Sequence, residues 1–155
     1  MLKKCFPFLL LVVVLLGCSE QTSNEVKWEE SATLVLEFTT EELQNMEQVF
    51  RMGDNGKLGF GEYGPFIANQ GQKYMWHFWG DEDTLTQPFK VLATSKETGE
   101  EITVVQLSAQ NIAPNNGADH HLPSSMMLTS PGLWSLEAYF GEKLFGTVVV
   151  DVMEN

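Results

Sequence analysis

The chain has 155 residues and a formal net charge of −12, because 21 Asp and Glu outnumber 9 Lys and Arg. Nucleic acids and anionic lipid surfaces are bound through basic patches, so this balance argues against either as a partner. The length suits a single domain with one hydrophobic core.

The N-terminus reads as a targeting segment, and we predict a signal peptide over residues 1–17. Lys3 and Lys4 are basic, and residues 6–16 form an apolar run. That run is too short for a permanent spanning helix, which needs about 20 apolar residues. It ends in Leu15-Leu16-Gly17-Cys18, where a small residue precedes a cysteine.

This arrangement resembles the lipobox of bacterial lipoproteins. The resemblance implies cleavage before Cys18, with diacylglyceryl and acyl chains such as palmitate attached to its thiol and new amino group. Two or more acyl chains anchor a protein stably in a membrane. The resemblance therefore also implies a lipid-anchored, extracytoplasmic protein at the cell membrane. An ordinary secretory signal or an uncleaved anchor are the alternatives.

The segment that follows, residues 18–31, is polar and acidic, and we interpret it as a lipidated cysteine and flexible tether. The folded domain is predicted over residues 32–155. With Cys5 removed and Cys18 lipidated, no thiol remains for a disulfide, so this domain must depend on its own core.

The first predicted strand covers residues 32–38, where apolar side chains alternate. Residues 39–62 are ambiguous. Thr40-Glu41-Glu42-Leu43 is typical of a helix start, and Leu43, Met46, Val49 and Phe50 recur at helical spacing. The turn signal over residues 53–56 instead favours a hairpin.

A dense aromatic stretch over residues 71–81 predicts the central strand. Its alternation predicts a core face made of Tyr74, Trp76 and Phe78. The opposite face carries Lys73, Met75, His77 and Trp79. Exposed aromatic residues often bind ligands, so we predict Met75, His77 and Trp79 as a ligand-binding patch unless a neighbouring segment covers them.

Further strands are predicted over residues 89–94, 102–107, 133–140 and 144–152, with residues 108–132 as a long connection. Strands and turns at this spacing predict an all-β fold, a β-sandwich of about seven strands. Gly132-Leu133-Trp134 with the Val-rich final strand resembles the closing hairpin of bacterial immunoglobulin-like domains, which implies an immunoglobulin-like β-sandwich. With residues 73–80 and 121–126, these motifs also resemble small surface lipoproteins of Bacillus-type bacteria.

A metal site is one alternative to a plain binding role. A copper or zinc site could use His77, His120, His121 and Met126, with Asp119 as a further zinc donor. A blue-copper site is excluded because it needs a cysteine thiolate. The favoured interpretation is that His77 is an ordinary sheet-surface residue and that His120 and His121 lie in a solvated loop.

A serine hydrolase is disfavoured, because Ser124 and Ser125 lie near histidines without a Gly-x-Ser-x-Gly elbow. We therefore predict a non-catalytic binding or interaction module of the cell envelope, with no cofactor beyond the lipid on Cys18. Its partner would be an envelope protein or a small molecule. The alternative is a metal-handling lipoprotein that uses the His/Met cluster.

Overall fold

The computed structural model describes residues 27–38 and 46–155. The predicted signal peptide, Cys18, most of the tether and the possible helix start at residues 40–43 lie outside the described residues. Within the described part of the chain, no helix is long and apolar enough to cross a membrane.

The described residues form ten strands and one short helix, more strands than the predicted seven. In chain order these are β1 Thr33–Phe38, β2 Met46–Met52, β3 Leu58–Glu62, β4 Phe66–Ile67, β5 Gln72–Phe78, α1 Glu82–Leu85, β6 Phe89–Ser95, β7 Glu101–Leu107, β8 His120–Met126, β9 Gly132–Phe140 and β10 Lys143–Met153.

Two five-stranded sheets hold these strands. The first sheet has the order β1-β2-β3-β5-β8, and the second has the order β4-β10-β9-β6-β7. All neighbours are antiparallel except β4 and β10. The sheets pack face to face, which confirms the predicted all-β sandwich.

The core lies between the sheets, as the alternation of the sequence predicts. Tyr74, Trp76 and Phe78 are all buried on one side of β5, and Trp134 of β9 is fully buried in the facing sheet. Trp76 packs against Phe60 of β3 with a ring-centroid distance of 4.8 Å. The predicted core face of this strand is confirmed, whereas its predicted central position is wrong, because β5 lies fourth of five between β3 and the edge strand β8.

Residues 46–62 resolve the ambiguity in favour of a hairpin. The helical interpretation of Met46, Val49 and Phe50 is wrong, because these residues form β2 between β1 and β3. Pairing on both sides satisfies a backbone that could otherwise have formed a helix. The turn is stabilised by Asn55, whose side-chain oxygen accepts a hydrogen bond from the Lys57 amide at 2.8 Å.

The predicted long connection over residues 108–132 is also wrong in part, since it contains β8. This strand carries Pro123 and two serines, which are poor strand formers, yet its whole length pairs with β5. Proline is tolerated there because β8 is the edge of its sheet and needs no partner on one side.

The N-terminal segment joins the two sheets at Ser31. The Ser31 amide donates to the Val149 carbonyl at 2.8 Å, and the Val149 amide donates to the Ser31 hydroxyl at 2.8 Å. Arg51 of β2 donates to the Ser31 carbonyl, also at 2.8 Å. The chain is thereby attached to both sheets at the residue where it enters the domain.

Candidate functional site

The predicted site residues lie on the first sheet, and strand alternation divides them between its two sides. We call the side that faces the second sheet the inner face and the opposite side the outer face. On β5 and β8, Met75, His77 and His121 belong to the outer face, where His77 is paired directly with His121. His120 and Met126 belong to the inner face and are almost completely buried.

His77 is covered by a neighbouring aromatic ring. Its exposed fraction is 6%, and the Phe50 ring packs edge-on against it with centroids 5.3 Å apart. Phe50 can lie there because Gly59 has no side chain: a Cβ at Gly59 would sit 2.5 Å from the Phe50 ring. One residue of the predicted Met75–His77–Trp79 patch is therefore hidden beneath β2.

Trp79 serves partly to attach the loop that precedes β8. Its indole nitrogen donates to the Gly117 carbonyl at 2.8 Å, and its ring lies 6.3 Å from that of Phe50. Beside it, the Gly80 amide donates to the Asp119 carboxylate at 2.9 Å. Trp79 remains half-buried, so the patch offers only part of its surface to a ligand.

The two buried histidines have unusual environments. Burial lowers the pKa of His77 below its ordinary value, and the neighbouring His121 acts in the same direction. Burial likewise lowers the pKa of His120, which lies 6.3 Å from the Phe78 ring. Among the residues described, neither the His77 nor the His120 Nε2 atom has a hydrogen-bond partner.

The predicted four-residue metal site is not brought together. His77 and His121 lie on the outer face with ring centroids 6.5 Å apart, whereas His120 and Met126 point into the core. In residues 27–38 and 46–155, no group of three or more His, Cys, Asp or Glu could hold a metal ion. Consecutive residues such as His120 and His121 cannot share a face once they lie in a strand.

A groove of about 450 Å³ opens beside Met75. Met75 and Pro123 line it together with Tyr63, which is 65% exposed. Lys73 and Ser125 also line it, so cationic and hydroxyl groups lie close to apolar ones. Sequence reasoning missed Tyr63. The exposure of Tyr63 could have been predicted from its position directly before the Gly64-Pro65 turn, because residues next to turns are rarely buried.

A larger cavity, of about 590 Å³, lies where the N-terminal segment meets the domain. Four carboxylates line it, but each already has a partner within the chain. Glu29 pairs with Lys27, Glu30 pairs with Arg51, Asp54 accepts from the Thr147 amide, and Glu137 accepts from Tyr139. We therefore interpret this cavity as the place where the N-terminal segment packs against the domain, and not as a ligand site.

Comparison with known proteins supports the same architecture. A family model described as "Domain of unknown function (DUF4871)" matches residues 19–150. A crystal structure described as that of a "Putative Lipoprotein from Bacillus anthracis" is similar with a TM-score of 0.57 and 24% identity, covering 83% of this chain and 88% of that chain. At 24% identity, this structural similarity is evidence for a shared fold alone. No protein with a curated description matches.

Proposed function

This chain belongs to the DUF4871 family, and from that premise we propose that it is a lipid-anchored, extracytoplasmic protein whose sandwich is a non-catalytic binding module. The Leu15-Leu16-Gly17-Cys18 motif supports the anchor, because it follows a basic and then an apolar segment. The similar solved structure carries the description of a lipoprotein, which agrees with this proposal.

Cysteine replacement tests the anchor. We expect the wild type to incorporate labelled palmitate and to sediment with membranes, whereas Cys18→Ser incorporates no label. Cys5→Ser is the matched control, since Cys5 lies in the segment that is removed and should not affect labelling. Equal labelling of Cys18→Ser and wild type would reject lipidation at this residue.

The binding role rests on one observation, the groove beside Met75 that the exposed Tyr63 helps to line. Its volume falls within the range of about 300–1,000 Å³ that is typical of small-ligand sites. A tyrosine presents a large, rigid apolar surface and a hydroxyl group, which is why tyrosines dominate many interaction surfaces. Lys73 adds a positive charge beside this surface, so an apolar segment with an anionic group is the best-matched ligand.

In the described residues, Ser124 and the Nδ1 atoms of His120 and His121 are engaged by other hydrogen-bond partners. The Ser124 hydroxyl accepts a hydrogen bond from the Trp76 indole at 3.1 Å. The Nδ1 atoms of His120 and His121 are both hydrogen-bonded to the backbone of Ala113. A catalytic serine instead needs a histidine within hydrogen-bond reach of its hydroxyl group. This arrangement supports a binding module over a hydrolase.

Site-specific photocrosslinking in intact cells tests the groove. A benzophenone side chain in place of Tyr63 should form adducts with an envelope protein or a small molecule, and Lys73→Glu should reduce the yield. The matched control places the same group at Met153, which is 56% exposed on β10 of the other sheet. Equal adducts at the two positions, or none at Tyr63, would exclude the groove as the binding site.

A further inference from the structure

We propose that His77 and His121 form a two-coordinate Cu(I) site on the outer face of the first sheet, with Met75 as an adjacent soft donor. This inference does not depend on the groove being a binding site. It differs from the four-residue cluster predicted from the sequence, because His120 and Met126 lie on the inner face and are excluded.

The separation of the two rings matches a shared ion. Metal–nitrogen bonds to histidine are about 2.0–2.1 Å long, and the ring centre lies about 1.1 Å behind the nitrogen. Two imidazoles on one ion therefore have centroids about 5 Å apart at a tetrahedral angle and about 6.4 Å apart in a line. The His77 and His121 centroids are 6.5 Å apart, the separation that a linear arrangement needs when both Nε2 atoms face the ion.

Hydrogen bonds fix the tautomer that a metal ligand needs. His77 Nδ1 lies 3.1 Å from the Met75 carbonyl oxygen, and His121 Nδ1 lies 2.6 Å from the Ala113 carbonyl oxygen. A carbonyl oxygen can only accept, so each Nδ1 carries the hydrogen and each Nε2 keeps its lone pair. Backbone carbonyls orient metal-binding histidines in the same way.

The orphaned nitrogen of His77 is the independent observation. Buried polar atoms are nearly always hydrogen-bonded, so an unpaired one is a candidate ligand atom. His77 Nε2 is buried and has no partner among the residues that the structure describes. A metal ion shared with His121 would satisfy this atom.

The donor set favours Cu(I). Zinc sites usually have four ligands and hard cations need several oxygen donors, whereas the described part of the chain holds no group of three or more His, Cys, Asp or Glu that could bind a metal ion. Imidazole and thioether are both copper ligands, and Cu(I) accepts two-coordinate linear geometry. Met75 occupies the outer-face position next to His77 on β5.

Anaerobic Cu(I) titration against a chromogenic chelator tests the site. The full chain is used in detergent with Cys5→Ser and Cys18→Ser, so that no thiol competes for copper. We expect one Cu(I) per chain, bound with a Kd tighter than about 1 μM. X-ray absorption should show the edge feature of two-coordinate Cu(I).

Substitutions of single donors distinguish this site from copper binding by other methionines of the chain. His121→Gln should weaken Cu(I) binding at least about 10-fold. Met126→Leu and Met127→Leu should bind as tightly as the parent, because Met126 is in the core and Met127 is outside the pair. Circular dichroism must show that His121→Gln is folded, and His77→Asn provides a second donor variant.

Three results would overturn the proposal. They are Cu(I) binding weaker than about 1 μM, unchanged binding in folded His121→Gln, and stronger binding of Zn²⁺ than of Cu(I) under the same conditions. The third result would show that the pair is a metal site of another kind.

Discussion

Arg51 connects three parts of the molecule through one guanidinium group. Its Nε and Nη2 atoms donate to both carboxylate oxygens of Glu62 at 2.6 and 3.1 Å. Its Nη1 atom donates to the Ser31 carbonyl and contacts Glu30 at 2.8 Å. The side chain is only 8% exposed, so little solvent is available to replace these bonds.

Replacing Arg51 should therefore destabilise the domain strongly. Arg51→Ala leaves the largely buried Glu62 without its partner, and removing one member of a buried ion pair typically lowers the free energy of unfolding by about 3–5 kcal/mol. Urea denaturation followed by tryptophan fluorescence measures this change. Lys57→Ala, in an exposed turn, is the matched control and should change stability by less than about 0.5 kcal/mol. A loss of under about 1 kcal/mol in Arg51→Ala would contradict the assigned role.

At the scale of elements, β5 and β9 supply the two tryptophans at the centre of the sandwich. Both are fully buried, with indole nitrogens that donate to Ser124 and to the Ser130 carbonyl. We expect Trp76→Ala and Trp134→Ala each to lower the free energy of unfolding by about 3–5 kcal/mol, because each leaves a cavity that a rigid sheet cannot close. Thermal and urea melts measure this. If Trp76→Ala melted like the parent, the packing assigned to β5 would be incorrect.

The strand β3 contributes through a glycine that lets another side chain approach. A Cβ at Gly59 would lie 2.5 Å from the Arg51 carbonyl oxygen and 2.5 Å from the Phe50 ring. Gly59→Ala should therefore displace Phe50 and destabilise the domain by at least about 1–3 kcal/mol. Gly71→Ala is the control, since nothing lies within 4 Å of its added Cβ. Equal melting temperatures for the two variants would contradict this close approach.

Period-two alternation was sufficient to predict which side chains of β5 fill the core, because the inner face of a sheet requires apolar residues at every second position. It was insufficient for β8, whose Pro123 and serines carry little apolar signal and whose strand conformation depends on pairing with β5. The same limitation affected β2, where helical spacing gave way to pairing with two neighbours.

The positions of the candidate site residues could be predicted only in part, for the same reasons. Adjacency in the sequence predicts that His120 and His121 act together, yet a strand places them on opposite faces. Whether His77 met them depended on the register of β5 and β8, which is a long-range pairing that the local sequence does not encode. Tyr63 was missed because its exposure depends on how the chain turns at Gly64.

At the scale of the whole molecule, the attachment at Ser31 marks a boundary. The segment before it is open to proteases, whereas the folded domain after it resists them. At Ser31 the chain is hydrogen-bonded to both sheets, whereas Lys27 lies four residues earlier with a side chain that is 81% exposed. Proteases cut exposed segments far faster than hydrogen-bonded strands. Trypsin should therefore cut an anchored protein after Lys27.

We expect trypsin treatment of protoplasts or spheroplasts to release a soluble fragment that begins at Trp28, as identified by mass spectrometry of the supernatant. Release requires that the anchor lie before Lys27 and that the domain face the outside, so a single product tests both features. Lys27→Gln should keep the domain on the membrane, because the next basic residue, Arg51, is buried within β2. Protection of the wild type in unlysed protoplasts or spheroplasts, with cleavage only after lysis, would place the domain on the other side of the membrane.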